Sequence, residues 1–174
     1  MDSANYRRGM KSEHYVLEIL RSGKVEIEEL GKVKDIIVYD DYGNKEHKQK
    51  QIDGIDCEII NADGKKISVD IKQDKWLLKS KNVLAEMVID ENGWRKDGWF
   101  GYGKSDYILW DCVGADGRPL VVMDLNKFRA LAKDLIWAAE YKVRRIKTAP
   151  GKYTTNYLFE YDKVKECCKI YTHQ

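Results

Sequence analysis

The chain has little from which to build a zinc finger, a histidine-based catalytic centre or a jointed architecture. Its three histidines, His14, His47 and His173, form no recognisable ligand or catalytic cluster. Cys57 and Cys112 fall in apolar stretches and Cys167-Cys168 are adjacent, which matches neither the spacing of a zinc site nor a distributed disulfide framework, so four buried free thiols are expected. With only Pro119 and Pro150, and no repeat, nothing reads as a linker, and one domain spanning residues 1–174 is expected. No apolar run approaches the ~20 residues of a membrane span, and the start Met-Asp-Ser-Ala-Asn-Tyr-Arg-Arg lacks the apolar core of a signal peptide. A cytoplasmic protein with no membrane partner is therefore expected. A formal net charge of only +2 excludes a polycation.

What is present is a chain that is 43% hydrophobic and 34% charged, enough for a real core. Its most informative segment runs from Gln51 to Lys72. Ala62-Asp63-Gly64 suits a three-residue hairpin loop closed by a glycine in the left-handed region. Asn61 then faces Lys65, and the register sets Ile55 with Ile71, Cys57 with Val69 and Ile59 with Ile67 on one face. Glu58 meets Ser68 on the other, and Asp56 meets Asp70 with Cβ atoms about 5 Å apart. A two-residue Asp63-Gly64 loop would pair Cys57 with Asp70 and mix the faces, so turn chemistry and burial select the same register. Two carboxylates that close repel unless a cation lies between them, and Mg²⁺ or Mn²⁺, with hard oxygen ligands and retained waters, suits an open pair. Lys72 projects from the face of Asp70, where its ammonium can orient an attacking water and offset charge on a phosphate, or its neutral amine can deprotonate that water.

Upstream, Gly9-Met-Lys-Ser-Glu-His-Tyr-Val-Leu-Glu-Ile-Leu-Arg-Ser-Gly23 has helical periodicity, with Met10, Glu13, Val16, Leu17 and Leu20 on one face. A lone carboxylate on that stripe is costly unless paired or bound to metal, which marks Glu13; Glu18 shares its face with Lys11, His14 and Ser22 and reads as solvated surface. Asp53 lies near Asp56 but on the wrong parity for the face of Asp70.

Gly54-Ile-Asp56, a turn, and Val69-Asp-Ile-Lys72 resemble the PD-(D/E)xK nuclease superfamily, and the Gly9–Gly23 segment resembles the first helix of its Mrr-type and Holliday-junction-resolvase-like members. The triplet alone carries little, since Glu46 to Lys48, Asp63 to Lys65 and Glu140 to Lys142 match it too; the strand alternation opposite a second Asp singles out Asp70-Ile71-Lys72. The likeness covers roughly the first ninety residues well, and Asn82–Glu86 with Lys104–Trp110 more loosely. It implies an α/β (α+β) restriction-endonuclease-like core, a central mixed sheet flanked by helices. It further implies Asp56 and Asp70 as metal ligands with the Ile71 backbone carbonyl, Glu13 assisting through water, Lys72 positioning the nucleophile and Glu86 as a possible additional acid.

Elsewhere, Val33–Tyr39 reads as a strand, residues 40–50 as a polar loop, and Lys75–Lys81 and Trp94–Gly103 as loops. Tyr107–Cys112 and Leu120–Met123 read as apolar strands. Asp124 can cap a helix to about Tyr141 with Leu125, Phe128, Leu131, Ala132, Leu135 and Ala139 inside, and Tyr153–Tyr161 alternates like a last strand or edge. Arg7 and Arg8, Lys75 and Lys79 with Lys81, and Lys142, Arg144, Arg145 and Lys147 form local basic clusters that can contact phosphates. Trp94, Trp99, Phe100 and Tyr102 can stack on unpaired bases or pack under a loop. The expectation is a metal-dependent nuclease acting on double-stranded or branched DNA, with a homodimer implied by the resolvase likeness. The competing expectation is a non-catalytic nucleic-acid-binding or assembly protein that keeps the fold.

Overall fold

The structure, a computed structural model, describes residues 3–41 and 43–172, with side chains from Gly9 onward. Helix α1 (Ser3–Ser22) ends at Gly23, whose φ of 63° stops it, and buries Ser12, Val16, Leu17, Ile19 and Leu20. The buried stripe passes through Ser12 rather than Met10, which is exposed, because the Ser12 hydroxyl takes a hydrogen bond of 2.8 Å from the Gln73 side chain. Strand β1 (Val33–Val38) follows, then α2 (Lys45–Ile52), which begins within residues 40–50, expected to be loop, and runs two residues past them. That helix buries no residue and shows no apolar periodicity; the Asn44 side chain caps it by accepting from the Glu46 N–H.

β2 (Cys57–Asn61) and β3 (Lys66–Gln73) form the expected hairpin, with Gly64 at φ 78° and the pairs Cys57/Val69, Glu58/Ser68 and Ile59/Ile67. The chain then leaves the sheet to make α3 (Leu77–Ser80), β4 (Asn82–Glu91), β5 (Trp94–Asp97) and α4 (Trp99–Tyr102) before returning as β6 (Tyr107–Asp111), parallel to β3. Two of these, β5 and α4, replace the loop expected over 94–103. β7 (Leu120–Asp124) leads through the Asp124 cap into α5 (Leu125–Trp137), which stops before Tyr141 because Ala139 turns left-handed at φ 56°. β8 (Lys142–Ala149) and β9 (Lys152–Glu160) form a second hairpin, and α6 (Tyr161–Val164) with a 3-10 turn leads to β10 (Cys168–Tyr171). β9, which lies between β4 and β8 and is followed by β10, is therefore neither the last strand nor an edge.

The protein is mixed α/β: a six-stranded mixed sheet in the order β1-β2-β3-β6-β7-β10, flanked by helices, and a separate four-stranded antiparallel sheet in the order β5-β4-β9-β8. Strand alternation sends Cys57, Ile59, Val69, Leu109 and Val122 toward α1. Ile108, Trp110, Val121 and Met123 point the other way, toward α5, α4 and the Val83, Ala85 and Phe159 face of the second sheet. The α5 stripe of Leu125, Phe128 and Ala132 is fully used in this core, whereas Ala139 is exposed. All four cysteines are buried free thiols. Among the described residues no helix is long and apolar enough to cross a membrane.

Candidate active site

The hairpin register holds only as far as Cys57. There Asp56 turns its N–H onto the Val69 carbonyl (2.9 Å), the residue that already faces Cys57, while Tyr39 N–H bonds to the Asp56 carbonyl and Ile55 N–H is drawn to Lys50 (both 2.9 Å). β2 thus parts from β3, and the expected direct pairing of Asp56 with Asp70 and of Ile55 with Ile71 does not form. The Asp56 carboxylate fills the gap: its Oδ2 accepts the Ile71 N–H at 2.7 Å, satisfying a strand donor that has lost its neighbour. The Ile71 carbonyl lies on the same side of β3, since N–H and C=O of one strand residue point the same way.

The Asp70 and Lys72 side chains share the face of β3 turned away from Val69 and Ile71, as alternation requires, and form an ion pair with Nζ 3.0 Å from Oδ1 and 2.8 Å from Oδ2. Asp70 is only 4% exposed. Burial pulls the Lys72 ammonium down, but the adjacent Asp70 and the nearby Asp56 carboxylate outweigh it, and its pKa ends above the ordinary lysine value. Lys72 is therefore a fixed cation, suited to orienting a water or stabilising negative charge and not to taking a proton. The Asp56 pKa is raised as well, which here favours the neutral form: burial, with the Asp70 charge adding to it, pushes its carboxyl up to about 8. Glu13, half-buried on α1, is raised by burial and by Asp70 and is drawn down by Lys72. The Ser12–Gln73 bond beside it ties α1 to β3.

Two elements distant in sequence close the site. Glu86 on β4 is also raised by burial, against the pull of Lys72 and of the Trp99 N–H, which its carboxylate accepts. It sits beside a bulge between Glu86 and Val88, and Gly98 at the start of α4 lies close against it. From α4, the Trp99 ring lies under Lys72, with Nζ 5.6 Å from its centroid. Trp99 and Phe100 are buried, so they pack in the core and do not stack on bases; Trp94 is exposed on β5, and Tyr102 is 37% exposed beside the carboxylates. Arg129 of α5 anchors this helix by donating to the carbonyls of Phe100 (2.7 Å), Trp99 (3.2 Å) and Gly103 (2.7 Å). The sequence marks Trp99 and Tyr102 only as aromatics able to stack on bases or pack under a loop, and nothing in it marks Arg129 as a site residue.

Asp53 lies outside the centre, ion-paired with Lys104 at 3.0 Å. Glu18 is exposed and contacts His14 at 3.1 Å, as expected of solvated surface. Lys75 and Lys79 are exposed on and before α3. Arg7 and Arg8 lie outside the described side chains. The pleat of β8 divides its basic cluster: Arg144 pairs with Asn156, which pairs with Glu86, so these three share one face of the second sheet. Arg145 points to the other face, 3.4 Å from Asp90 and 4.4 Å above the Tyr153 ring, and Lys147 shares that face.

Around Lys72 are thus gathered Asp56, Asp70, Glu13 and Glu86, four carboxyl groups to one ammonium. Among the described residues no three histidine, cysteine, aspartate or glutamate side chains stand close enough together to hold a metal ion by themselves. No protein-family model, curated protein or solved structure matches the chain.

Proposed function

We propose that the protein is a metal-dependent nuclease that hydrolyses phosphodiester bonds in DNA, double-stranded or branched, on a restriction-endonuclease-like core. The observation that carries this reading is the convergence of Asp56, Asp70 and Glu13 on Lys72 where β2 parts from β3. The donor set fits Mg²⁺ or Mn²⁺: it is all oxygen, and two carboxylates with the Ile71 carbonyl leave the remaining positions to water and phosphate, as Mg²⁺ prefers. The excess of carboxyl groups over ammonium also calls for a further positive charge. A cation held by Asp56, Asp70 and the Ile71 carbonyl would supply Lewis-acid charge at the phosphate. Lys72 orients the attacking water and stabilises charge as it builds on the phosphate oxygens, while Glu13 holds a water by hydrogen bond at the edge of the site. Arg144, on the face of Glu86, extends positive potential outward for the neighbouring phosphates.

One observation favours a second reading, a nucleic-acid-binding or assembly protein without catalysis: Lys72 already pairs with both Asp70 oxygens, and Asp56 is spent on the Ile71 N–H. Incubation with supercoiled, linear, single-stranded and branched DNA and with RNA, each with Mg²⁺, Mn²⁺ or EDTA, separates the two. Cation-dependent cleavage of DNA that Asp70→Asn abolishes supports the nuclease; binding without cleavage under every condition supports the alternative. The homodimer that a branched substrate implies needs a face other than the α5 stripe, and sedimentation with and without DNA tests it.

A further inference from the structure

A helix of four residues does not hold its own position, yet α4 is fixed at both ends. At its start Gly98 N–H bonds to the Met87 carbonyl at 2.9 Å and the Glu86 carboxylate takes the Trp99 N–H. At its end three main-chain carbonyls receive the Arg129 guanidinium, which has no carboxylate partner among the described residues. Gly103 admits no side chain here, since a Cβ would lie 2.8 Å from the Trp99 carbonyl oxygen. The aromatic of α4 that this clamp leaves facing solvent is Tyr102.

Tyr102 leans across Gly54, whose φ is 68°. A Cβ built on Gly54 would lie 3.2 Å from Tyr102 Cε2 and 3.8 Å from Asp70 Oδ2, so ring and carboxylate are no more than about 7 Å apart. Burial and the Asp70 charge hold the phenol above its ordinary pKa against the pull of Lys72, so it remains an O–H donor at neutral pH. A phenol donor beside a carboxylate centre and a fixed ammonium complements an anion that gains charge during reaction. Resting on the nuclease reading above, we infer that Tyr102 is a further catalytic residue, donating a hydrogen bond to a non-bridging oxygen of the scissile phosphodiester, and that Arg129 is the residue that positions it.

The test is Tyr102→Phe, which keeps the ring and removes the hydroxyl, beside Tyr102→Leu, on a DNA that the wild type cuts with Mg²⁺. Both variants should lose about tenfold to a hundredfold in kcat while KM, and DNA affinity measured in EDTA, stay within about threefold. Wild-type kcat in Tyr102→Phe, with weakened binding in Tyr102→Leu, would make the ring a base-stacking platform and overturn the inference while the nuclease stands. Arg129→Met should reduce kcat in the wild type and add little in the Tyr102→Phe background; additive losses would overturn the positioning role. If neither Mg²⁺ nor Mn²⁺ supports cleavage of any substrate by the wild type, the nuclease reading and this inference fall together.

Discussion

Asp56→Asn should make the protein more stable at neutral pH while inactivating it. The Asp56 carboxyl titrates near 3.8 when free and is pushed up to about 8 in the fold, by burial first and then by Asp70. Between those values the folded protein keeps a proton that the unfolded chain has released. Stability therefore falls as pH rises through the window, by about 1.4 kcal/mol per unit, and the contribution is fully present only below the unfolded value. At pH 7 this amounts to about 4 kcal/mol, forgone in order to place a carboxylate where a strand has turned away. Asparagine is nearly isosteric, carries no charge and still offers an oxygen to the Ile71 N–H. Allowing for the cost of burying its amide, the variant should gain about 3 kcal/mol at pH 7.5, or about 6–12 °C in Tm for a domain of this size. The gain should vanish near pH 4.5. Thermal and urea melts at pH 4.5, 6 and 7.5 measure it, and Mg²⁺ should narrow the gap by stabilising the wild type alone. An Asn variant no more stable than wild type at pH 7.5, or one with the same pH slope, would rule out a carboxyl held protonated at Asp56 by the fold.

Lys72→Ala should bind DNA as the wild type does and cut it about a hundredfold or more slowly, as for loss of one electrostatic group; single-turnover rates equal to wild type would make it a bystander. Glu13→Gln should impair cleavage more than Glu18→Gln, because Glu13 couples to Asp70 and Lys72 while Glu18 is exposed and contacts exposed His14; a side-by-side rate comparison decides. Arg144→Ala should weaken binding to every DNA sequence and flatten its salt dependence, whereas Arg145→Ala, already held by Asp90 and Tyr153, should change the slope less; equal slopes would show that the pleat does not select the phosphate contact.

The inner part of the site was legible in the sequence because a local rule governs it. Gly64 at positive φ fixes the loop, the loop fixes the register, and alternation then puts Asp70 and Lys72 on one flank of β3. The same rule fails at Asp56, where a main-chain carbonyl five residues before Ile55, on α2 at Lys50, pulls the strand away; strand register carries no information about such a competitor. Of the second sheet only β9 is legible in the strand alternation, although Asn92-Gly93, both at positive φ, is a strong hairpin turn of its own. α4 stayed hidden for another reason. Its residues enter the site through a crossover between two parallel strands, and its anchor, Arg129, sits on a helix whose pattern suggests only an exposed basic side chain. No periodicity announces that the partners of a guanidinium will be carbonyls.

The outer strand of the second sheet bears on how the protein behaves when concentrated. β8 is an eight-residue edge, a ready template on which another copy could extend the sheet. Lys142, Arg144, Arg145 and Lys147 lie along it, so any antiparallel self-pairing sets cation against cation. Colloidal stability is thereby tied to ionic conditions: dilute buffer keeps the edges apart, and a polyanion or high salt that quenches these charges removes the barrier where fibrous self-association would begin.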